Sequence, residues 1–177
     1  MDPTALRGKI QELRRQNAYN QLYIPEQQLF LIITHEVVHA EFKRIQISPY
    51  LLEELTRTIM VGARKVFAIL VLIEEVRLVR DLINRDKFQD YCLPLQPQDL
   101  KDWDAAVTIN FYDTQWQFLS PCFTQSMISR SINPKCVMPF LKDKNIGKGG
   151  FGTIYEVCLD PKHQDLRDGF SKRVSCI

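Results

Sequence analysis

The chain has 177 residues, 45% apolar and 25% charged, a composition that excludes a disordered tail, a collagen-like repeat and a disulfide mini-scaffold. Its 23 Lys+Arg against 21 Asp+Glu leave a net charge of +2, too small an excess for a broad nucleic-acid or membrane-surface binder. The length admits about one to one-and-a-half domains and excludes a complete two-lobed enzyme of about 250 residues or more.

Residues 1–20 place Leu6, Ile10 and Leu13 at helical spacing, with Arg and Gln opposite, and predict a first helix. Pro25 suits a helix start, and 26–46 predicts a second, carrying Leu29, Ile32, Ile33, Val37, Ala40 and Phe42. Ser48-Pro49 predicts the cap and first turn of a third segment over about 50–84. Gly62 is where that segment would divide, since a mid-helix Gly costs about 1 kcal/mol relative to Ala. The most apolar run is Val66 to Ile73, closed by Arg64-Lys65 and Glu74-Glu75. It falls far short of the roughly 20 residues of a membrane-spanning helix and predicts a buried turn of helix. Residues 1–85 thus predict a small helical bundle. Arg14-Arg15 and Lys43-Arg44 read as solvated helix faces rather than nucleic-acid contacts.

Residues 86–138 predict an aromatic-rich connector or extension. Pro94, Pro97, Asp99 and Asp102 punctuate it, and Trp103, Phe111, Tyr112, Trp116, Phe118 and Phe123 crowd together. Periodicity does not decide between a strand and a short helix for Phe111 to Leu119. Trp103 and Trp116 read as core or interface anchors rather than a ligand cage. Ser120-Pro121 and Asn133-Pro134 mark turns, and 124–138 reads as a connector. The expected fold class is mainly α, a helical bundle followed by a short antiparallel β segment over 139–177, and α+β overall.

Cys92, Cys122, Cys136, Cys158 and Cys176 form no C-x-x-C pair, so neither a zinc ribbon nor a redox pair can be written. No apolar stretch follows the polar start, so no signal peptide is read. Reduced thiols and an intracellular location, cytoplasmic or nuclear, are the expectation.

Two motifs carry chemistry. His35-Glu36-Val37-Val38-His39 spells H-E-x-x-H on a predicted helix, which would set both imidazoles on one face for Zn²⁺ with Glu36 as general base. The longer H-x-x-G-x-x-H completion fails, because Phe42 and Ile45 stand where Gly and the third His belong. Glu53 and Glu54, the nearest downstream carboxylates, lie beyond Ser48-Pro49. The expectation is two polar residues on a solvent face, with a zinc hydrolase as the remote alternative.

The second motif is Ile146-Gly147-Lys148-Gly149-Gly150-Phe151-Gly152-Thr153-Ile154-Tyr155. Its G-x-G-x-x-G spacing alone is weak evidence, and context decides its meaning. A dinucleotide fingerprint needs a helix after the glycines. Here Ile154, Tyr155, Val157 and Cys158 predict a strand, stopped by Asp160-Pro161. Glycines at the turn of a hairpin suit polyphosphate, because a Cβ would obstruct its approach to backbone N–H groups.

Residues 139–177 resemble the opening of a eukaryotic protein kinase domain. Met138-Pro139-Phe140-Leu141, with Phe111 to Leu119 upstream, resembles the N-terminal extensions of fungal serine/threonine protein kinases. The resemblance implies ATP, with Mg²⁺ in a full kinase. Backbone cradling falls to Gly147, Gly149, Gly150 and Gly152, with Ile146, Lys148 and Thr153 in the same loop. Phe151 is the implied lid, Ile154 the adenine-packing residue and Lys172 the phosphate-pairing lysine, although Phe170-Ser171 replaces the family's A-x lead-in. The helix glutamate, H-R-D loop and D-F-G aspartate of that family are not in the sequence. The chain therefore reads as a truncated kinase start: an ATP-binding segment, with Ser/Thr phosphoryl transfer implied for the full-length family only. The alternative is a non-enzymatic helical module binding a protein partner, with a vestigial loop. Neither nucleic acid nor membrane is expected as a partner. Lobe strands with open edges are expected to make 143–177 less ordered than the helical half.

Overall fold

A computed structural model describes residues 3–84, 89–124, 131–150 and 152–166. The chain is α+β, with seven α-helices and three two-stranded sheets among the described residues. The first helix, α1 (Pro3–Glu12), covers only part of the range 1–20 expected to be helical. The helix has ended and a short strand has begun before the chain reaches Asn17. The Asn17 side chain accepts from the N–H groups of Tyr19 and Gln21, both at 2.9 Å, and builds a turn through Asn20 at φ 61. That turn joins β1 (Arg15–Gln16) to β2 (Leu22–Tyr23), an antiparallel pair inside the half expected to be all helix.

The segment expected as one helix over 26–46 is two, α2 (Glu26–Ile32) and α3 (His35–Arg44). Thr34 makes the break, since its hydroxyl caps α3 by accepting from the Val37 N–H at 3.4 Å. Next come α4 (Pro49–Gly62) and α5 (Arg64–Leu72), divided at Gly62 as expected. Pro49 takes the first position of α4, but the Ser48 side chain makes no cap bond. The start of α5 is capped from a distance: one oxygen of Asp90 accepts from the Lys65 and Val66 N–H groups at 2.9 and 3.0 Å. A Cβ at Gly62 would meet the Gln89 side chain at 2.6 Å, so that segment also packs on the break.

Every residue of α5 from Val66 to Leu72 is buried, which accounts for the apolar run. Around it pack Leu6, Ile10, Leu29, Phe42, Ile59 and Phe111, the centre of one continuous core. No helix among the described residues is long and apolar enough to cross a membrane.

After α6 (Val79–Asn84) the chain reaches α7 (Ala105–Thr114), which a 3₁₀ turn over Gln115–Phe118 continues. The undecided stretch is therefore helical. Asp104 caps α7, and buried Gln115 binds both the N–H and the carbonyl of Leu95, at 2.8 and 2.9 Å. Trp116 is buried and Trp103 half-buried, stacked edge-on against Tyr112 and Phe111 respectively, as anchors.

The C-terminal part is the expected antiparallel hairpin, β4 (Phe140–Gly149) with β5 (Gly152–Leu159). A parallel pair, β3 (Phe123–Thr124) with β6 (Gln164–Asp165), draws the chain after the hairpin back beside the end of the aromatic region. Thr124, read as the start of a connector, belongs to that pair. Phe140, Val157 and Leu159 form a second, small apolar cluster flanked by Phe123, Met138 and Tyr155.

Candidate functional site

The glycines close the β4–β5 hairpin. Gly149 pairs with Gly152, Lys148 with Thr153 and Gly147 with Ile154, and Gly150 lies in the turn. The pairing shifts register twice along β4, leaving Leu141 and Ile146 as the extra residues. Such bulges increase local twist and re-aim side chains. Both bulge residues are exposed apolar side chains. The second bulge is fastened by Asn145, whose side chain accepts from the Gly147 N–H at 3.1 Å.

Along β5 burial alternates. Val157 and Leu159 are buried in the small cluster, while Ile154 lies on the opposite face, 37% exposed and directly across from Gly147. Ile146 is 47% exposed, and Lys148 is exposed beside the turn. One end of the hairpin thus brings together glycine backbone, two uncovered isoleucines and a lysine. Thr153 is half-buried, and Gly150 and Gly152 are exposed. Phe151 and Lys172 lie outside the described residues.

A Cβ built on Gly147 or on Gly150 would meet nothing within 4 Å, and neither residue holds a left-handed backbone. At these two positions the fold itself does not demand glycine. Gly62 differs, since there a neighbouring side chain occupies the space.

The other end of the hairpin is tied to the helical half by a polar network that local sequence does not reveal. Asp160, fully buried after β5, accepts from one Arg15 Nη1 with both oxygens at 3.1 Å, from the Tyr23 hydroxyl at 2.7 Å and from the Lys162 N–H at 2.9 Å. Burial alone would raise its pKa, but those donors outweigh it and hold the carboxyl below its usual range. Burial, then the bond to Asp160, pushes the Tyr23 phenol well up. His163 is buried beside Tyr23, with ring centroids 5.2 Å apart, and its Nδ1 lies 3.1 Å from the Pro121 carbonyl. Burial lowers its pKa against the opposing pull of that carbonyl and of Asp160. Arg15 therefore sits on a strand in an ion pair, not on a solvated helix face.

The two histidines of the H-E-x-x-H stretch do share a face of α3. The rings of His35 and His39 stack with centroids 6.0 Å apart, and His35 Nε2 lies 3.1 Å from a Glu53 oxygen. Glu36 belongs to the helix start: bonds from its own backbone N–H and from Thr34 hold its carboxyl below the usual range. Among the described residues no group of three or more His, Cys, Asp or Glu could hold a metal ion.

Comparison with known proteins adds no relative: no family model, no curated protein and no solved structure matches the chain.

Proposed function

We propose that the β4–β5 hairpin is a nucleotide-binding flap of the protein-kinase type and that its ligand is ATP with Mg²⁺. The observation that carries the reading is the freedom at Gly147 and Gly150. Neither packing nor backbone conformation requires glycine there, whereas a polyphosphate approaching the backbone does. Gly147, Gly149, Gly150 and Gly152 supply the cradle, Phe151 the lid and Ile154 the apolar face for the base. Lys148 adds positive charge beside the turn, and Lys172 is the phosphate-pairing lysine of this reading. Transfer of the γ-phosphoryl group to Ser/Thr hydroxyls belongs to the wider kinase reading. It needs a positioned metal and an oriented nucleophile beyond the residues of the hairpin.

A helical interaction module is the second reading. Leu31 on α2 and Tyr50 and Val61 on α4 favour it, being apolar side chains more than three-quarters exposed. Thermal denaturation separates the two. A ligand that binds only the folded state at 100 times its Kd stabilises it by about 2.7 kcal/mol. ATP with Mg²⁺ is expected to raise the melting temperature, and adenosine to raise it much less. An unchanged melting temperature at millimolar ATP contradicts the nucleotide reading and leaves the interaction module.

A further inference from the structure

Residues 15–23, the β1–β2 pair and its turn, touch the chain at the root of both legs of the glycine hairpin. On the β4 side the Asn17 amide donates to the Met138 carbonyl at 3.0 Å and the Ala18 N–H to the Phe140 carbonyl at 2.7 Å. The Tyr19 hydroxyl donates to Asp143 at 2.7 Å. On the β5 side Arg15 and Tyr23 hold Asp160. The same segment follows α1, whose Arg7 binds the Leu72 carbonyl of buried α5 at 3.0 Å and Glu74 at 2.7 Å. A continuous path of bonded groups thus runs from the helical core to the root of the hairpin.

We propose that residues 15–23 are a clasp through which the helical region sets the position of the glycine turn, and hence its affinity for nucleotide. The inference rests on the nucleotide reading for that consequence alone. Its physical basis is leverage. The hairpin has only a small apolar cluster at its base, so polar contacts fix its direction. From Asp143 to Gly149 the strand extends about 20 Å at roughly 3.3 Å per residue. A tilt of about 10° at the root therefore moves the turn by about 3 Å, the length of a hydrogen bond to phosphate. Arg15, Asn17, Tyr19 and Tyr23 are positioning residues on this account, and none touches the nucleotide.

The test uses the full chain as wild type, Tyr19→Phe and Arg15→Met, with amide hydrogen exchange and binding of a fluorescent ATP analogue. Tyr19→Phe removes one hydroxyl near the surface. It is expected to speed exchange of amides in 143–157 about fivefold and to weaken binding of the analogue by a similar factor, with exchange in α4 and α5 unchanged. Arg15→Met is expected to act in the same direction and more strongly. Asp143→Asn added to Tyr19→Phe should cost less than the two separate effects multiplied, because both disturb the same contact. Unchanged exchange across 143–157 in Tyr19→Phe overturns the clasp. Equal acceleration in α5 also overturns it, since that would mark general destabilisation. If Arg15→Met does not fold, Tyr19→Phe and its double variant decide alone. A wild type that binds no ATP analogue ends the nucleotide reading, and with it the consequence for affinity. The exchange comparison then still decides whether the clasp holds the hairpin.

Discussion

The helical region and the hairpin are stabilised in different ways. Around α5 a continuous core buries Phe42, Phe67, Ile69 and Leu70 completely, and apolar packing sets the positions of the helices. The hairpin buries Phe140, Val157 and Leu159 at its base and exposes Ile146 and Ile154 near its tip. Its direction is set by oriented polar bonds to residues 15–23, above all those from Arg15 and Tyr23 to Asp160. A core that fills its own space suits a scaffold. A projecting ribbon with an uncovered tip suits contact with something outside the chain.

Substitutions can break or sharpen this contrast. The largest expected effect is in the helical core. Phe67 is fully buried and packs edge-on against Phe42 at 5.7 Å, so Phe67→Ala should cost about 3–5 kcal/mol in denaturant unfolding. The loss should appear in helix and hairpin signals together. Asp90→Ala removes the distant cap of α5 and should cost about 1 kcal/mol, read as a lower denaturant midpoint at unchanged slope.

The hairpin root should respond to pH instead. His163 has a folded pKa below its unfolded value, which lies near 6.5, so the unfolded chain binds the proton first. Its stabilising contribution is present above about pH 6.5 and is lost as the pH falls through the folded value. Asp160, whose folded pKa is also depressed, adds a second loss below about pH 4. The groups facing the ring include Asp160, Arg15, Tyr23 and Glu26. Unfolding measured between pH 7.5 and 5 should show stability falling with acidity. His163→Gln should flatten that slope, and an equally steep slope in the variant would assign it to other groups.

How much of this the sequence made legible depends on the range of the interactions. The buried run Val66 to Leu72, the break at Gly62 and the hairpin about the glycines all follow from neighbouring residues, and all are present. The break between α2 and α3 carried a local sign in Thr34, hidden by apolar Ile32 and Ile33 on the helical spacing. Asn17 and Asn20 were likewise a turn signal inside a segment whose spacing suggested helix. The Arg15–Asp160 bond spans 145 positions and has no local signature. The glycine motif pointed to a site, but only the built structure separates glycines that packing constrains, such as Gly62, from Gly147 and Gly150, where packing leaves space.

The central claim is that an external ligand is the reason for glycine at the hairpin tip. Its most direct test is ATP affinity, with melting temperature as control, in wild type and Gly150→Ala. The account predicts an unchanged or slightly raised melting temperature, since the added methyl meets nothing within 4 Å, together with at least about tenfold weaker ATP binding. Equal affinity in the two proteins would contradict it, because the backbone at Gly150 would then face no phosphate.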